Sequence, residues 1–291
     1  MTAKGLVKLQ DRVAAHYGDM SQRLRQAADY VVAHELDVAT HSLRTVSGKA
    51  KMAPATFTRL SQALGFSSYE DMRDLCRESV GRQALTFSQR AERLAREHQG
   101  DAMPSFFDRQ MSASLDNLNQ LSGEIDQDML LQVVETLNGA RDVLLFGAFS
   151  STGLVEYFAY LARYFANNWK VAGRMGASLS SAMVGLDETD AVIILTKGPY
   201  AKRSILAAKM ASASGAYVIV ITDKHSCPAL EFSSAHFIVP TESPQFFSSY
   251  AATLVLIETL VGMLVVRAGE QARIRIEDVE TRNRQYGEFW E

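Results

Sequence analysis

Apolar side chains recur at three- and four-residue steps along the first eighty residues. Leu24, Ala27, Ala28, Val31 and Val32 form one set, Leu43, Val46 and Ala50 a second, and Phe57, Leu60 and Leu64 a third. Each set draws an apolar stripe along one face of a helix, and no strand-like run interrupts them. The pattern predicts an all-α domain over 1–80. From Gly81 to about Ser105 the chain is polar, with Arg90, Arg93 and Arg96 on a helical piece. Pro104 then opens a helix from Ser105 to Leu121, which Ser122-Gly123 stops. Residues 81–121 read as a linker with helical pieces.

The texture changes after Gly139. Val143–Phe146, Ala191–Leu195, Tyr217–Ile221 and Phe237–Val239 are short unbroken apolar runs, separated by helical patterns such as Leu154–Phe165 and Ser204–Ser214. A strand that does not alternate is buried on both faces, so these runs predict a parallel sheet covered on both sides. Residues 122–268 are therefore expected to form a doubly wound α/β domain, and 269–291 a charged, helix-compatible tail.

Composition narrows the class. The most apolar stretch, Ala251–Val266, is shorter than a membrane span and carries Glu258, so it reads as a buried helix with no membrane partner. The opening Met1-Thr2-Ala3-Lys4-Gly5 shows no secretory signal, and Cys76 and Cys227 lie far apart without metal-ligand neighbours. That fits a reduced cytoplasm and predicts neither metal nor cofactor. The net charge of −3 is unevenly spread: residues 1–99 carry a formal excess of four positive charges and the remainder an excess of seven negative ones. No acid falls between Asp37 and Glu70, whereas Arg44, Lys49, Lys51 and Arg59 do. A basic, acid-free segment suits a phosphate backbone.

That segment also carries a helix-turn-helix pattern. Ser42–Ala50 reads as a first helix with Leu43, Val46 and Ala50 inward, Lys51-Met52-Ala53 as a short turn, and Pro54–Leu64 as a second helix that buries Phe57, Leu60 and Leu64. Pro54 suits the first turn of that helix, where its missing N–H costs nothing. Ala55, Thr56, Thr58, Arg59 and Gln62 are left on the other face. Small and hydroxyl residues early in a helix let it approach a DNA groove, and an arginine there reaches a guanine edge or a phosphate. The candidate DNA contacts are Arg44, Lys51, Pro54, Ala55, Thr56, Thr58, Arg59 and Gln62. The same spacing fits a plain three-helix packing unit.

Leu43 to Phe66, with Thr56, Arg59 and the Leu64-Gly65-Phe66 ending, followed by Tyr69-Glu70-Asp71-Met72, resembles the N-terminal domain of RpiR-type regulators. Those proteins join this domain to a sugar-isomerase (SIS) domain, and the resemblance runs from about residue 20 to 266. It implies a transcription regulator with duplex DNA as partner, a small phosphorylated effector, and a homodimer or homotetramer. Where the family often has Gly in the turn this chain has Lys51, and where it often has Ser as the cap this chain has Ala53.

The resemblance also implies a phosphosugar site at the loops after the first two apolar runs. A loop that feeds a helix from a strand end offers free N–H groups to a phosphate. Gly147-Ala148-Phe149-Ser150-Ser151 is similar to the family's G-x-G-x-S loop, with Phe149 in place of the second glycine. Thr196-Lys197-Gly198-Pro199-Tyr200-Ala201 falls where the family has S-x-S-G-x-T; Thr196 keeps the first hydroxyl, while Gly198, Pro199 and Ala201 replace Ser, Gly and Thr. The candidate ligand residues are Gly147, Ser150, Ser151, Thr196, Lys197 and Tyr200. Lys197 and Lys202 would replace lost donors as point charges, and Phe149 and Tyr200 would offer aromatic faces. A second outcome stays open, in which Phe149 and Pro199 fill the crevice and the domain only dimerises.

An aldose–ketose isomerase on the same scaffold is the remaining alternative. It needs a base near the substrate carbon and an acid near its oxygen. His225, His236, Glu231 and Glu242 are available in loops, but none sits in a recognisable motif. No catalytic residue is assigned, and the expected protein is a sensor rather than an enzyme.

Overall fold

A computed structural model of the chain describes residues 9–84, 86–97, 103–173 and 178–290. They fall into two compact units, Met1–Gln99 and Gly100–Glu291.

The first unit is helical. Its elements are α1 (Leu9–His16), α2 (Gln22–Ala33), α3 (Glu35–Thr40), α4 (Leu43–Lys49), α5 (Pro54–Ala63), α6 (Tyr69–Ala84) and α7 (Phe87–Glu97). The apolar stripes meet in one core, where Val31, Val46, Phe57, Leu60, Leu64 and Met72 are fully buried. Ser21 and Ser42 start α2 and α4 by accepting the Leu24 and Thr45 N–H groups. Helices α4 and α5 end in the same way. The Met52 N–H reaches back to the Ser47 carbonyl (3.0 Å) and the Phe66 N–H to the Ser61 carbonyl (2.9 Å). Each closure needs one left-handed residue after the helix; at α5 it is Gly65 (φ 78°) and at α4 it is Lys51 (φ 53°).

The second unit is an α/β domain. Its order is α8 (Met103–Glu124), α9 (Gln127–Gly139), β1 (Val143–Gly147), α10 (Ser151–Phe165), β2 (Trp169–Val171), α11 (Leu179–Met183), β3 (Ala191–Leu195), α12 (Lys202–Ala213), β4 (Tyr217–Thr222), β5 (Ala235–Ile238), α13 (Ala251–Ala268) and α14 (Glu270–Gln285). The strands form one parallel sheet in the order β2-β1-β3-β4-β5. Alternate residues of each strand enter different cores. Leu145, Ile193, Ile219 and Phe237 meet α9, α10 and α13 on one face, while Leu144, Phe146, Val192 and Val220 meet α11 and α12 on the other. Burial on both faces is why the runs read as unbroken apolar stretches.

Three elements differ from the sequence expectation. Strand β2 and the short helix α11 were not foreseen: β2 is three residues long with Lys170 exposed, too short to make a run. Helix α8 is not part of a linker but of the second unit. Its Asn117, 1% exposed, donates to the Glu242 carbonyl (2.7 Å) and accepts the Glu242 N–H (3.0 Å). That paired contact, with Leu121 in the core, ties residues 103–124, which the sequence reads as the end of an 81–121 linker, to the second unit. Helix α13 is long and apolar enough, by length and composition, to cross a membrane. In this fold its Ala252, Leu256, Ile257, Leu260 and Leu264 are buried against the sheet.

Candidate functional site

Strand β1 lies between β2 and β3, so the connections leaving β1 and β3 run to opposite faces of the sheet and open a crevice at the strand ends. Gly147 closes β1. A Cβ there would lie 2.7 Å from the Ser151 carbonyl oxygen, so only glycine lets α10 begin this close to the strand. Phe149 follows in a left-handed backbone (φ 53°) with its ring 81% exposed. Thr152 donates its hydroxyl to the Gly147 carbonyl at 3.0 Å. Ser150 and the buried Ser151 share hydrogen bonds with the Tyr250 hydroxyl at 2.9 and 3.0 Å.

The loop after β3 is held differently. Asp223, at the end of β4, accepts the Gly198 N–H (3.2 Å) and the Tyr200 hydroxyl (3.1 Å). Burial beside this carboxylate pushes the Tyr200 phenol above its ordinary range. The Gly198–Pro199 peptide is cis. Thr196 is buried, and Lys197 is 7% exposed. The Lys197 ammonium donates to the Thr253 hydroxyl (2.7 Å) and the Ser249 carbonyl (3.1 Å) and lies 4.2 Å from the centre of the Tyr250 ring. Burial pushes its pKa down to about 7, against the opposing pull of Asp223.

Between the two loops lies an open cleft of about 530 Å³. Gly147 to Phe149 and Thr152 line one side, Tyr200 to Arg203 the other, and Phe146, Ala172 and Gly173 complete it. The Arg203 guanidinium sits 5.8 Å from the Phe146 ring centre. The expected ligand residues thus separate. Gly147 and Tyr200 line the cleft, and Ser150 and Ser151 stand behind its first loop on Tyr250. Thr196 and Lys197 are buried, and the lysine turns inward to the Ser249 carbonyl, the Thr253 hydroxyl and the face of the Tyr250 ring. Phe149 points into solvent and does not fill the space. Tyr250, Asp223 and Arg203 carried no local signal: Tyr250 is a hundred residues from the serines it holds. His225, His236, Glu231 and Glu242 do not line the cleft, and the described residues contain no group of three potential metal ligands.

In the first unit, α5 starts with Pro54 and without a side-chain cap at Ala53. Phe57, Leu60 and Ser61 face the core, while Pro54, Ala55, Arg59 and Gln62 are exposed and Thr56 and Thr58 half-buried. Of the basic residues nearby, Lys49 pairs with Asp37 at 2.8 Å. Arg44, Lys51 and Arg59 are exposed and hold no ion pair among the described residues.

Residues 136–263 match the family model of the SIS domain. The chain is 24% identical over 271 residues to "Bifunctional protein glk" of Burkholderia orbicola (strain AU 1054), covering 88% of this chain and 41% of that protein. With its counterpart in Burkholderia mallei (strain ATCC 23344) the identity is 23% over 255 residues, covering 86% and 38%. The chain spans about two fifths of the length of these relatives. Among solved structures, the sugar isomerase domain of an RpiR transcription factor from Sphaerobacter thermophilus superposes with a TM-score of 0.58 at 18% identity, covering 62% of this chain and 99% of that one. The Vibrio vulnificus NanR protein complexed with ManNAc-6P gives 0.57 at 18% identity, covering 95% and 98%. The parallel-sheet region of the second unit, over the matched residues 136–263, is a SIS domain.

Proposed function

We propose that the chain is a DNA-binding transcription regulator whose SIS domain senses a small phosphorylated metabolite, working as a homodimer or homotetramer. The observation that carries this reading is the outer face of α5. It presents Ala55, Thr56, Arg59 and Gln62, and the preceding helix and turn add two exposed cations, Arg44 and Lys51, that hold no ion pair among the described residues. Small residues permit close approach to a groove, Arg59 reads a base edge or a phosphate, and unpaired cations displace counterions from the backbone. The likeness in fold to an RpiR transcription factor and to NanR supports the same reading. In the SIS domain, Lys202 and Arg203 stand at the start of α12, where the helix N-terminus adds its own attraction for an anion. The described lining of the cleft offers neither a carboxylate nor an imidazole, the groups that move protons in aldose–ketose isomerisation, which favours sensing over turnover.

The test uses the full chain on duplexes selected from a random-sequence pool. Affinity should fall steeply with salt, and Arg59→Ala should cost roughly 1–3 kcal/mol on the selected sequence while sparing non-specific binding. An unchanged affinity removes Arg59 from the interface, and failure to select any sequence removes the reading.

A further inference from the structure

We infer that the loop from Thr241 to Ser249, between β5 and α13, couples the SIS cleft to α8, so that an anion taken up at the strand ends is felt at the helix that follows the helical unit in the chain. The inference rests on the sensing role proposed above and names how that site is read out. The loop has no regular secondary structure, yet it is closed on itself, since the Ser249 N–H donates to the Thr241 carbonyl at 2.9 Å. Loops whose ends meet in this way are compact units.

One end of the loop grips both ligand loops. Directly after Ser249, the Tyr250 hydroxyl shares hydrogen bonds with Ser150 and Ser151 of the loop after β1. The Ser249 carbonyl accepts the Lys197 ammonium of the loop after β3, and that ammonium also lies over the Tyr250 ring. The other end grips α8. Asn117 pairs with the Glu242 backbone in both directions, and the Ser243 hydroxyl donates to the Gln110 side-chain oxygen at 3.2 Å. Asn117 and Lys197 are both buried, and a buried polar group is costly to leave unpartnered, so a shift of the loop carries its partners with it.

Coupling also needs an element with two arrangements that the ligand biases. Ser150 is that element. It stands at the N-cap of α10, where a serine ordinarily accepts a helix N–H, yet its side chain makes no capping bond. Its hydroxyl is given to Tyr250 instead, and the residue is exposed. An anion at the start of α10 offers that hydroxyl a second, charge-assisted partner. When the serine turns to the anion, Tyr250 keeps Ser151 alone, and its hold on the first loop is reduced. The Thr241–Ser249 loop is then freer to shift, and Asn117 and Gln110 pass the shift to α8.

The experiment follows amide hydrogen exchange of the full chain by mass spectrometry in Tyr250→Phe and Ser243→Ala. Each variant removes one hydroxyl, the first at the cleft end of the loop and the second at the α8 end. Coupling is reciprocal, so each should quicken exchange at both ends, in 147–152 and in α8. The change should reach up to about fivefold, as for the loss of one hydrogen bond, while β4 keeps its protection. A change confined to the end that carries the substitution overturns the coupling. So does a loss spread evenly over the unit, β4 included, because that is general destabilisation. A further arm adds inorganic phosphate. Exchange should change in 147–152 and α8 together in the original chain, and in 147–152 alone in Tyr250→Phe. Phosphate that alters 147–152 without α8 in the original chain overturns the coupling and leaves the sensing role standing. Phosphate that alters neither removes the anion-sensing role, and the two variants alone then decide the coupling.

Discussion

The two loops that frame the SIS cleft are built on opposite plans. The loop after β1 pushes Phe149 into water in a left-handed backbone and keeps its serines on a single phenol, Tyr250. The loop after β3 is pinned from both sides, by Asp223 on Gly198 and Tyr200 and by the inward reach of Lys197 to Ser249 and Thr253. One loop displays a side chain at the expense of local backbone energy. The other spends its polar groups on holding the chain still. Substitutions in the first should change binding more than stability, and substitutions in the second should do the reverse.

The largest effect is expected at Lys197. Its pKa falls from 10.5 to about 7 in the folded state. Below pH 7 both folded and unfolded chains carry this proton, and the full cost of burying the charge is present. As pH rises from 7 towards 10.5 the folded lysine is neutral while the unfolded one stays charged, so stability increases with pH. Between pH 6 and pH 9 the second unit should gain about 2–3 kcal/mol from this group, at about 1.4 kcal/mol per pH unit above pH 7. Lys197→Met, similar in length and uncharged, should lose that rise. Denaturant unfolding of both proteins at the two pH values checks it; parallel profiles would mean that the lysine stays charged inside the fold.

A smaller effect belongs to Phe149→Gly. Relief of the left-handed backbone is worth about 1–2 kcal/mol, and the extra freedom of glycine in the unfolded chain takes back about 0.5–1. The ring makes little packing to lose. The variant should therefore be more stable by up to about 1.5 kcal/mol in thermal unfolding. A loss of stability would show the ring to be part of the core and would erase the contrast between the loops.

How far the sequence announced these plans depends on how local each one is. The strands from Val143, Ala191 and Tyr217 were legible because burial on two faces leaves unbroken apolar runs. Strand β2 was not, since Trp169 and Val171 flank an exposed Lys170 in three residues. Helix α8 read as linker because what ties it down is an amide, Asn117, meeting backbone 125 residues away, and hydropathy registers no such contact. In the cleft, Gly147 and Tyr200 lie in strand-end loops that local pattern locates. The fate of Lys197 was hidden, because a loop lysine ordinarily points to water, and its partners Ser249 and Thr253 follow more than fifty residues later.

The same contrast can be carried into the helical unit, where the smallest effect is expected. Helices α4 and α5 close with the same hydrogen bond, yet the left-handed residue is Lys51 after one and Gly65 after the other. Lys51 thus resembles Phe149 in its backbone, but it displays a cation where the SIS loop displays a ring. If the cation is the reason a non-glycine stands there, stability and DNA binding should move in opposite directions on substitution. Lys51→Gly should stabilise the helical unit by about 0.5 kcal/mol, because relief of the left-handed strain exceeds the entropy of glycine. It should also reduce the slope of log affinity against log salt by about 0.9 if the ammonium meets one phosphate. Lys51→Ala removes the same charge and leaves the strain, so it should show the reduced slope without the gain. Thermal unfolding and salt-dependent binding of the two variants separate the roles: equal stabilities would show that the backbone at 51 stores no strain, and an unchanged salt slope in both would place this turn away from the DNA.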